Sequence, residues 1–325
     1  MSESMEHPFA SFVRILGKGQ KGSRGLTEDE AYQAMGMLLD GEVEDTQLGA
    51  FLMLLRFKEE TPEELAGFAR AVRQRVHAPA IAVDIDWPAY AGKRRQLPWF
   101  MLAVKALANN GVRILMHGGG RHTAGRMYAE DVLDALAIQS CDSWDQVAES
   151  LERDSIAFIP LAVWMPRLQR MIDLRNILGL RSPVHSLARL LNPLSARCAL
   201  QSIFHPGYQL VHQAANVILG GHALVIKGDG GEIEVRPDTT DQLLAATNGQ
   251  AWNEEWPAQI GRQVKPQGLD FERLLAVWQG SQQDVYGEQA ILGSMALALR
   301  GLGRERDAAF TEAAQMWANR HSLDQ

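Results

Sequence analysis

The chain has 325 residues, 46% of them hydrophobic and 22% charged, which leaves room for a large domain with a smaller one and excludes a low-complexity chain. Two cysteines, Cys141 and Cys198, exclude a disulfide framework and lack metal-ligand spacing, so a buried, reduced pair is expected. A net charge of −7 argues, taken alone, against a polyanionic partner.

The distribution of that charge argues the other way. Residues 81–130 hold seven Lys/Arg against three acids, a net of +4, and residues 161–200 hold six Arg against Asp173, a net of +5. The remainder carries −16. Segregated charge steers ligands through its local field; scatter over several solvated faces is the alternative. The start, MSESMEHPFASFVRIL, has no basic segment before its apolar run. No apolar run approaches the roughly 18 residues of a membrane span. A cytoplasmic protein without membrane partners is expected.

The first 80 residues read as a helical layer. TEDEAYQAMGMLLDG opens on a capping-box pair, Thr27 and Glu30, and closes at Gly41. TQLGAFLMLLRF places Leu48, Phe51, Leu52 and Leu55 on one face. TPEELAGFARAVRQRV has Thr61 as cap, Pro62 at the first helical position, Glu64 three on, and the stripe Leu65, Phe68, Val72 and Val76.

After residue 78 the period changes. AIAVDI, VRILM, SIAFIP, CALQSIF and HALVIK read as strands, separated mostly by the helical patterns PWFMLAVKALANNG, YAEDVLDALA and GYQLVHQAANVILGG. Such alternation predicts a mainly parallel sheet flanked by helices, the α/β class. Residues from about 163 to 192, rich in Arg and Leu, are too long for a simple crossover and are expected to return to the N-terminal layer. Helices are expected near 269–280, 286–300 and 306–319. The expected domains are a helical one over 1–78, joined by helices from about 163–192, and an α/β one over 79–162 and 193–325.

Four stretches are candidate sites. GKGQKGS (17–23) fails as a P-loop, because Lys21 precedes Gly22 and no buried strand leads in. What survives is a basic connector with Arg14, Lys18, Lys21 and Arg24 and no acid between residues 7 and 27, suited to a sugar-phosphate backbone or merely solvated. YAGKRRQLPW places Lys93, Arg94 and Arg95 after the first strand, where α/β sheets bind ligands, and an anion site is expected. MHGGGRHTAGR holds the matching place after the second strand. Its glycines admit an anion, Arg121 and Arg126 add forked donors, and His117 suits hydrogen bonding better than catalysis. In GDGGEIEV (228–235), Asp229, Glu232 and Glu234 can ligate magnesium; a hairpin with surface acids is the simpler expectation. Trp99, Phe100 and Trp164 can stack bases, but their apolar helical patterns point to the core.

MHGGGRHTAGRMYAEDVLDAL, DLRNILGLRSPVHSLARLLNPL and LVIKGDGGEIEV resemble, in order, three segments of the anthranilate phosphoribosyltransferases. The likeness runs from about residue 10 to 240. It implies a small helical domain, a large α/β domain and a homodimer formed through the helical part. His117, Gly118 and Arg121 match the family's phosphate region, Arg175 its anthranilate arginine, and Asn192-Pro193 a further motif. The departures fall on the chemistry. The family's glycine-rich diphosphate loop is replaced by AGKRRQ, and its magnesium-holding Asp-Glu pair by Glu232 alone. The runs GKRRQ and GLRSPVHSLARL resemble the YbiB-like branch, which implies nucleic-acid binding without the tryptophan-pathway activity.

The expectation is therefore a homodimer that binds DNA or RNA without sequence preference, using Lys18, Lys21, Arg24, Lys93, Arg94, Arg95, His117, Gly118, Arg121, Arg126, Arg175 and Arg181. No catalytic residue and no cofactor are expected. A phosphoribosyl or glycosyl transferase on another acceptor is the alternative, and magnesium on Asp229 and Glu232 enters only there. A scaffold or regulatory partner is the third possibility.

Overall fold

A computed structural model of the chain describes residues 6–205, 207–264 and 268–321. The outermost residues of the two expected domains, 1–5 and 322–325, lie outside the described residues.

Helices α1 (Ala10–Gly17), α2 (Glu28–Asp40), α3 (Asp45–Lys58) and α4 (Pro62–Arg73) come first. Both expected capping boxes form. The Thr27 and Thr61 hydroxyls each accept an N–H three residues on at 3.2 Å, and Glu30 and Glu64 return to the threonine N–H. Glu64 also accepts the Leu26 N–H at 2.8 Å, tying the start of α4 to the approach of α2. The two helices meet at Gly67, where a Cβ would strike the Glu28 carbonyl and lie 2.9 Å from the Tyr32 nitrogen. Phe9, Met35, Phe51, Leu65, Phe68 and Val72 form the core beneath.

The sheet begins with β1 (Ile85–Ala89), followed by α5 (Trp99–Asn109), β2 (Ile114–Gly118), α6 (Trp144–Asp154) and β3 (Ile156–Pro160). The chain then leaves the sheet through four short helices: α7 (Leu161–Trp164), α8 (Pro166–Asp173), α9 (Arg175–Leu178) and α10 (Val184–Leu187). Their Leu161, Leu168, Met171, Ile172 and Leu187 share the apolar cluster of α1–α4. It returns as β4 (Cys198–Ser202), α11 (Tyr208–Leu219) and β5 (His222–Ile226). The hairpin β6 (Asp241–Thr247) and β7 (Gln250–Trp256) and the helices α12 (Phe271–Gln279), α13 (Val285–Gly301) and α14 (Arg306–Ala318) complete it. Strand order is β3-β2-β1-β4-β5-β6-β7, parallel through β5 and antiparallel beyond. Trp99, Phe100, Leu200, Met295 and Leu297 fill one face of the sheet, and Leu115, Ile159 and Leu151 part of the other.

The architecture is a small helical domain with a large α/β domain whose mainly parallel sheet is flanked by helices. Among the described residues no helix is long and apolar enough to cross a membrane. Cys141 and Cys198 are buried and unpaired with one another.

Two local expectations need correction. YAEDVLDALA forms two isolated 3-10 turns, Ala129–Asp131 and Asp134–Leu136, rather than a helix. Its acids compete for the backbone: Asp131 accepts the Tyr128 N–H at 2.7 Å, and Ala137 turns left-handed at φ 50°. GDGGEIEV is no hairpin with surface acids. It is a single 3-10 turn after β5, and Asp229, Glu232 and Glu234 are all buried.

Candidate anion-binding site

Strand order reverses between β1 and β4, and in open α/β sheets a crevice forms at the carboxyl ends of the strands flanking such a reversal. Here it is a cleft of about 280 Å³. Arg94 and Arg95 line it from the loop after β1, Arg126 from the loop after β2, Phe204 from beyond β4, and Asp229 and Gly230 from beyond β5.

Beneath the cleft lies Lys93, with 0% of its surface exposed. Its ammonium donates to Asp229 Oδ2 and Glu234 Oε1, both at 2.5 Å, and to the Asp229 carbonyl at 3.3 Å. Backbone bonds to Met127 at 2.7 and 2.8 Å hold the segment in place. The second Glu234 oxygen accepts the Phe100 N–H at 2.9 Å in the first turn of α5. Burial alone would lower the lysine, but the two carboxylates outweigh it and hold the ammonium above its usual value. Lys93 is therefore no ligand for an external phosphate; its charge is spent inside.

Glu232 closes the same turn from the other side. Its Oε1 accepts the N–H groups of Ala91 and Gly92 at 2.8 and 2.5 Å. Burial raises this carboxyl. Gly92 is required here: its φ is +67°, and a Cβ would meet the Tyr128 ring at 2.9 Å. A magnesium ion does not fit these residues, since Asp229 and Glu234 hold an ammonium and Glu232 holds two amides. No group of three or more acids, histidines or cysteines among the described residues could hold a metal. Asp229, a magnesium candidate only under the transferase alternative, is thus held by Lys93, and Glu232 by the Ala91 and Gly92 amides.

His117 and Gly118 are also corrected. His117 is fully buried, with Tyr90 Oη 2.7 Å from Nδ1 and Asp86 Oδ1 3.2 Å from Nε2. A Cβ at Gly118 would lie 2.9 Å from both the Ala89 carbonyl and the Phe158 ring. Both residues pack within the sheet, where they lock β1 against its neighbours.

The remaining cations divide. Arg94 and Arg95 are exposed at the mouth of the cleft. Arg126 donates to the Ala91 and Gly92 carbonyls at 2.9 and 3.0 Å. Arg175 and Arg181 meet on one hydroxyl, Thr123 Oγ1, at 3.1 and 3.2 Å, and Arg175 also donates to the His122 carbonyl. Arg121 is exposed but ion-paired with Asp131. Arg24 is held by Glu30 at 2.6 and 2.7 Å, a contact that lowers the carboxyl to about 2. Lys18 and Lys21 are exposed, but among the described residues no hydrogen bond or ion pair joins them or Arg24 to the cleft. Trp99 and Phe100 lie in the core.

Sequence reasoning missed Arg189, His122 and His185. Arg189 donates to the His185 carbonyl at 2.6 Å and the Gly231 carbonyl at 3.4 Å. Burial, reinforced by the neighbouring arginines, lowers His122 to about 4. Burial, then His122, lowers His185 to about 3. A signal was present for two of them: His185 and Arg189 stand four apart, a spacing that helical geometry brings to one face.

Comparison with known proteins agrees with this architecture. The helical bundle domain of a glycosyl transferase family matches residues 12–76, and the a/b domain of a glycosyl transferase family matches residues 101–320. Uncharacterized protein YbiB of Escherichia coli (strain K12) is 28% identical over 273 residues, 81% of this chain and 84% of that one. An anthranilate phosphoribosyltransferase of Rhodococcus jostii (strain RHA1) is 29% identical over 273 residues, 82% and 72% of the two chains. The crystal structure of anthranilate phosphoribosyltransferase from Thermus thermophilus superposes with a TM-score of 0.76 at 21% identity, covering 98% and 96%, which establishes a shared fold. With both family domains in order along it, the chain belongs to glycosyl transferase family 3, as a protein similar to the anthranilate phosphoribosyltransferases.

Proposed function

We propose that this chain binds nucleic acid, DNA or RNA, by its phosphate backbone and without sequence preference, as a homodimer, and that it does not carry out magnesium-dependent phosphoribosyl transfer. The observation that supports this most directly is Lys93 Nζ between Asp229 and Glu234. Transfer from phosphoribosyl diphosphate needs a divalent cation on the leaving diphosphate, and here a tethered ammonium occupies Asp229 and Glu234 while two backbone amides occupy Glu232 Oε1. The exposed Arg94 and Arg95 and the local excess of positive charge supply attraction for a polyanion.

The second reading is a transferase acting on an unidentified acceptor. It is favoured by relatives named as anthranilate phosphoribosyltransferases and by the arginines retained around Thr123.

Fluorescence anisotropy of a labelled random-sequence oligonucleotide, in excess EDTA and at several salt concentrations, separates the two. Binding should survive chelation, and log K should fall with log salt at a slope of roughly −4 to −5 for about six phosphate contacts. Sedimentation should show the bound species as two chains. Arg94→Glu/Arg95→Glu should shrink the slope by about 2. Binding only with magnesium, or release of pyrophosphate from phosphoribosyl diphosphate, would overturn the reading.

A further inference from the structure

Arg126, Arg175, Arg181 and Arg189 converge behind the cleft, and none forms a salt bridge among the described residues. All their hydrogen bonds go to neutral oxygens: carbonyls of Ala91, Gly92, His122, His185 and Gly231, and the Thr123 hydroxyl. All four are partly buried, and arginines withdrawn from water are rarely left without a hydrogen-bonded acid, since desolvated like charges repel. Here burial, followed by repulsion from Arg126, Arg189 and Arg175, pulls the Arg181 guanidinium down to about 10.

Glu232 attracts Arg189, but the groups that hydrogen-bond the other three arginines carry no charge. Thr123 Oγ1 takes donors from both Arg175 and Arg181, which leaves its own proton for His122 Nδ1 at 3.0 Å. His122 then holds its proton on Nε2, donating to the Tyr90 carbonyl at 2.7 Å, and stays neutral. The His122 ring stands edge-on to His185 and Tyr128 at 5.1 and 5.5 Å. Around this centre, Arg126 Nε, Tyr128 Oη and Ser182 Oγ are buried with no hydrogen-bond partner. Tyr128 and Ser182 are each more than nine-tenths buried. Native proteins leave few buried polar atoms unpaired, and a group of unpaired donors beside four guanidiniums, of which Arg189 alone is drawn to a nearby carboxylate, that of Glu232, matches a multiply charged oxyanion.

Arg126 belongs both to this cluster and to the lining of the cleft, so the cluster is the inner end of the surface that carries Arg94 and Arg95. An internal phosphodiester carries one charge on two free oxygens and cannot be threaded inward without its flanking sugars. A terminal phosphate monoester carries about −1.5 to −2 on three oxygens and enters end-on. We propose that the Arg126–Arg175–Arg181–Arg189 cluster receives the terminal phosphate of a nucleic-acid strand, while Arg94 and Arg95 hold the internal phosphates that follow. This rests on the nucleic-acid reading and deepens it: the chain recognises phosphorylated strand ends.

The test uses the full chain and one single-stranded oligonucleotide sequence with a 5′-phosphate, a 3′-phosphate or hydroxyls at both ends, the label placed at the unmodified end or internally. At least one phosphorylated form should bind tenfold or more tightly than the hydroxyl form. Arg181→Gln should narrow that ratio to within about twofold, and Arg197→Gln, an exposed arginine paired with Asp84 outside the cluster, should preserve it. Should Arg181→Gln fail to fold, competition on the unaltered chain decides: ribose 5-phosphate should displace the phosphorylated oligonucleotide at concentrations where dimethyl phosphate does not. Equal affinity for all three oligonucleotides overturns this inference and leaves backbone binding standing. Binding of ribose 5-phosphate with no oligonucleotide bound overturns both, and assigns the cluster to a small phosphorylated metabolite.

Discussion

Lys93 carries its ammonium between two carboxylates at 2.5 Å, out of contact with water. Removing one member of a buried ion network costs more than the network contributes, because the remaining charges stay desolvated and unpaired. Lys93→Met should accordingly lower the unfolding free energy by about 3–5 kcal/mol, measured by urea denaturation; a loss under about 1 kcal/mol would mean that the acids rearrange or take up protons. The sequence shows Lys93, Arg94 and Arg95 as three equivalent cations, and nothing local separates them. What separates them is Asp229 and Glu234, more than 130 positions away, which only the folded sheet brings near. His117 misleads for the same reason: residue type proclaims chemistry, but depth follows from tertiary contacts.

At the scale of elements, signals held within a few residues are readable. Thr27-Glu30 and Thr61-Glu64 form the expected caps because both partners sit inside one helical turn. The hairpin β6–β7 escapes the sequence reading although its two-residue turn is Asn248-Gly249, with both φ angles positive at 50° and 76°. YAEDVLDALA has helical periodicity, yet carboxylates claim its amides first. The meeting of α2 and α4 supplies a prediction at this scale. Gly67→Ala improves intrinsic helix propensity by up to about 1 kcal/mol, but its new Cβ abuts backbone atoms of α2, which cannot rotate aside. The clash should win, with a net loss of about 1–3 kcal/mol visible as a lower thermal midpoint; an unchanged or higher midpoint would show that α2 slides to make room.

The whole molecule determines which loops meet, and the composition of a single segment does not. Strand order places the ends of β1, β2, β4 and β5 around one cleft, so residues near 94, 126, 204 and 229 become neighbours. Charge segregation in the sequence points to this region and to Arg126, Arg175 and Arg181, but not to Arg189 or to the convergence of the four, which depends on the excursion through α7–α10. Acid stability is another property of the whole. Burial lowers His122 to about 4, and His185 and His212 each to about 3. The unfolded chain therefore binds protons that the native one refuses between these values and about 6.5. The resulting stability is present in full above pH 6.5 and falls as the solution is acidified toward pH 4. Buried Glu60 and Glu130, raised by their desolvation, act in the opposite sense, so a difference measurement is needed. His212, fully buried and bonded to Gln201 at 3.0 Å, serves best. His212→Asn should flatten the dependence of stability on pH between about 4 and 6 by up to about 1.4 kcal/mol per pH unit. Curves that stay parallel would place the titration elsewhere.

A cation built into a side chain has no dissociation constant. The charge that Lys93 brings to the turn after β5 arrives with translation, one per chain, and cannot be exchanged, competed away or drained by a chelator. Proteins that borrow a metal ion for this purpose follow the supply of free ion in their surroundings. The Lys93 ammonium does not, and the charge it brings stays the same when polyphosphates sequester divalent ions and when they do not.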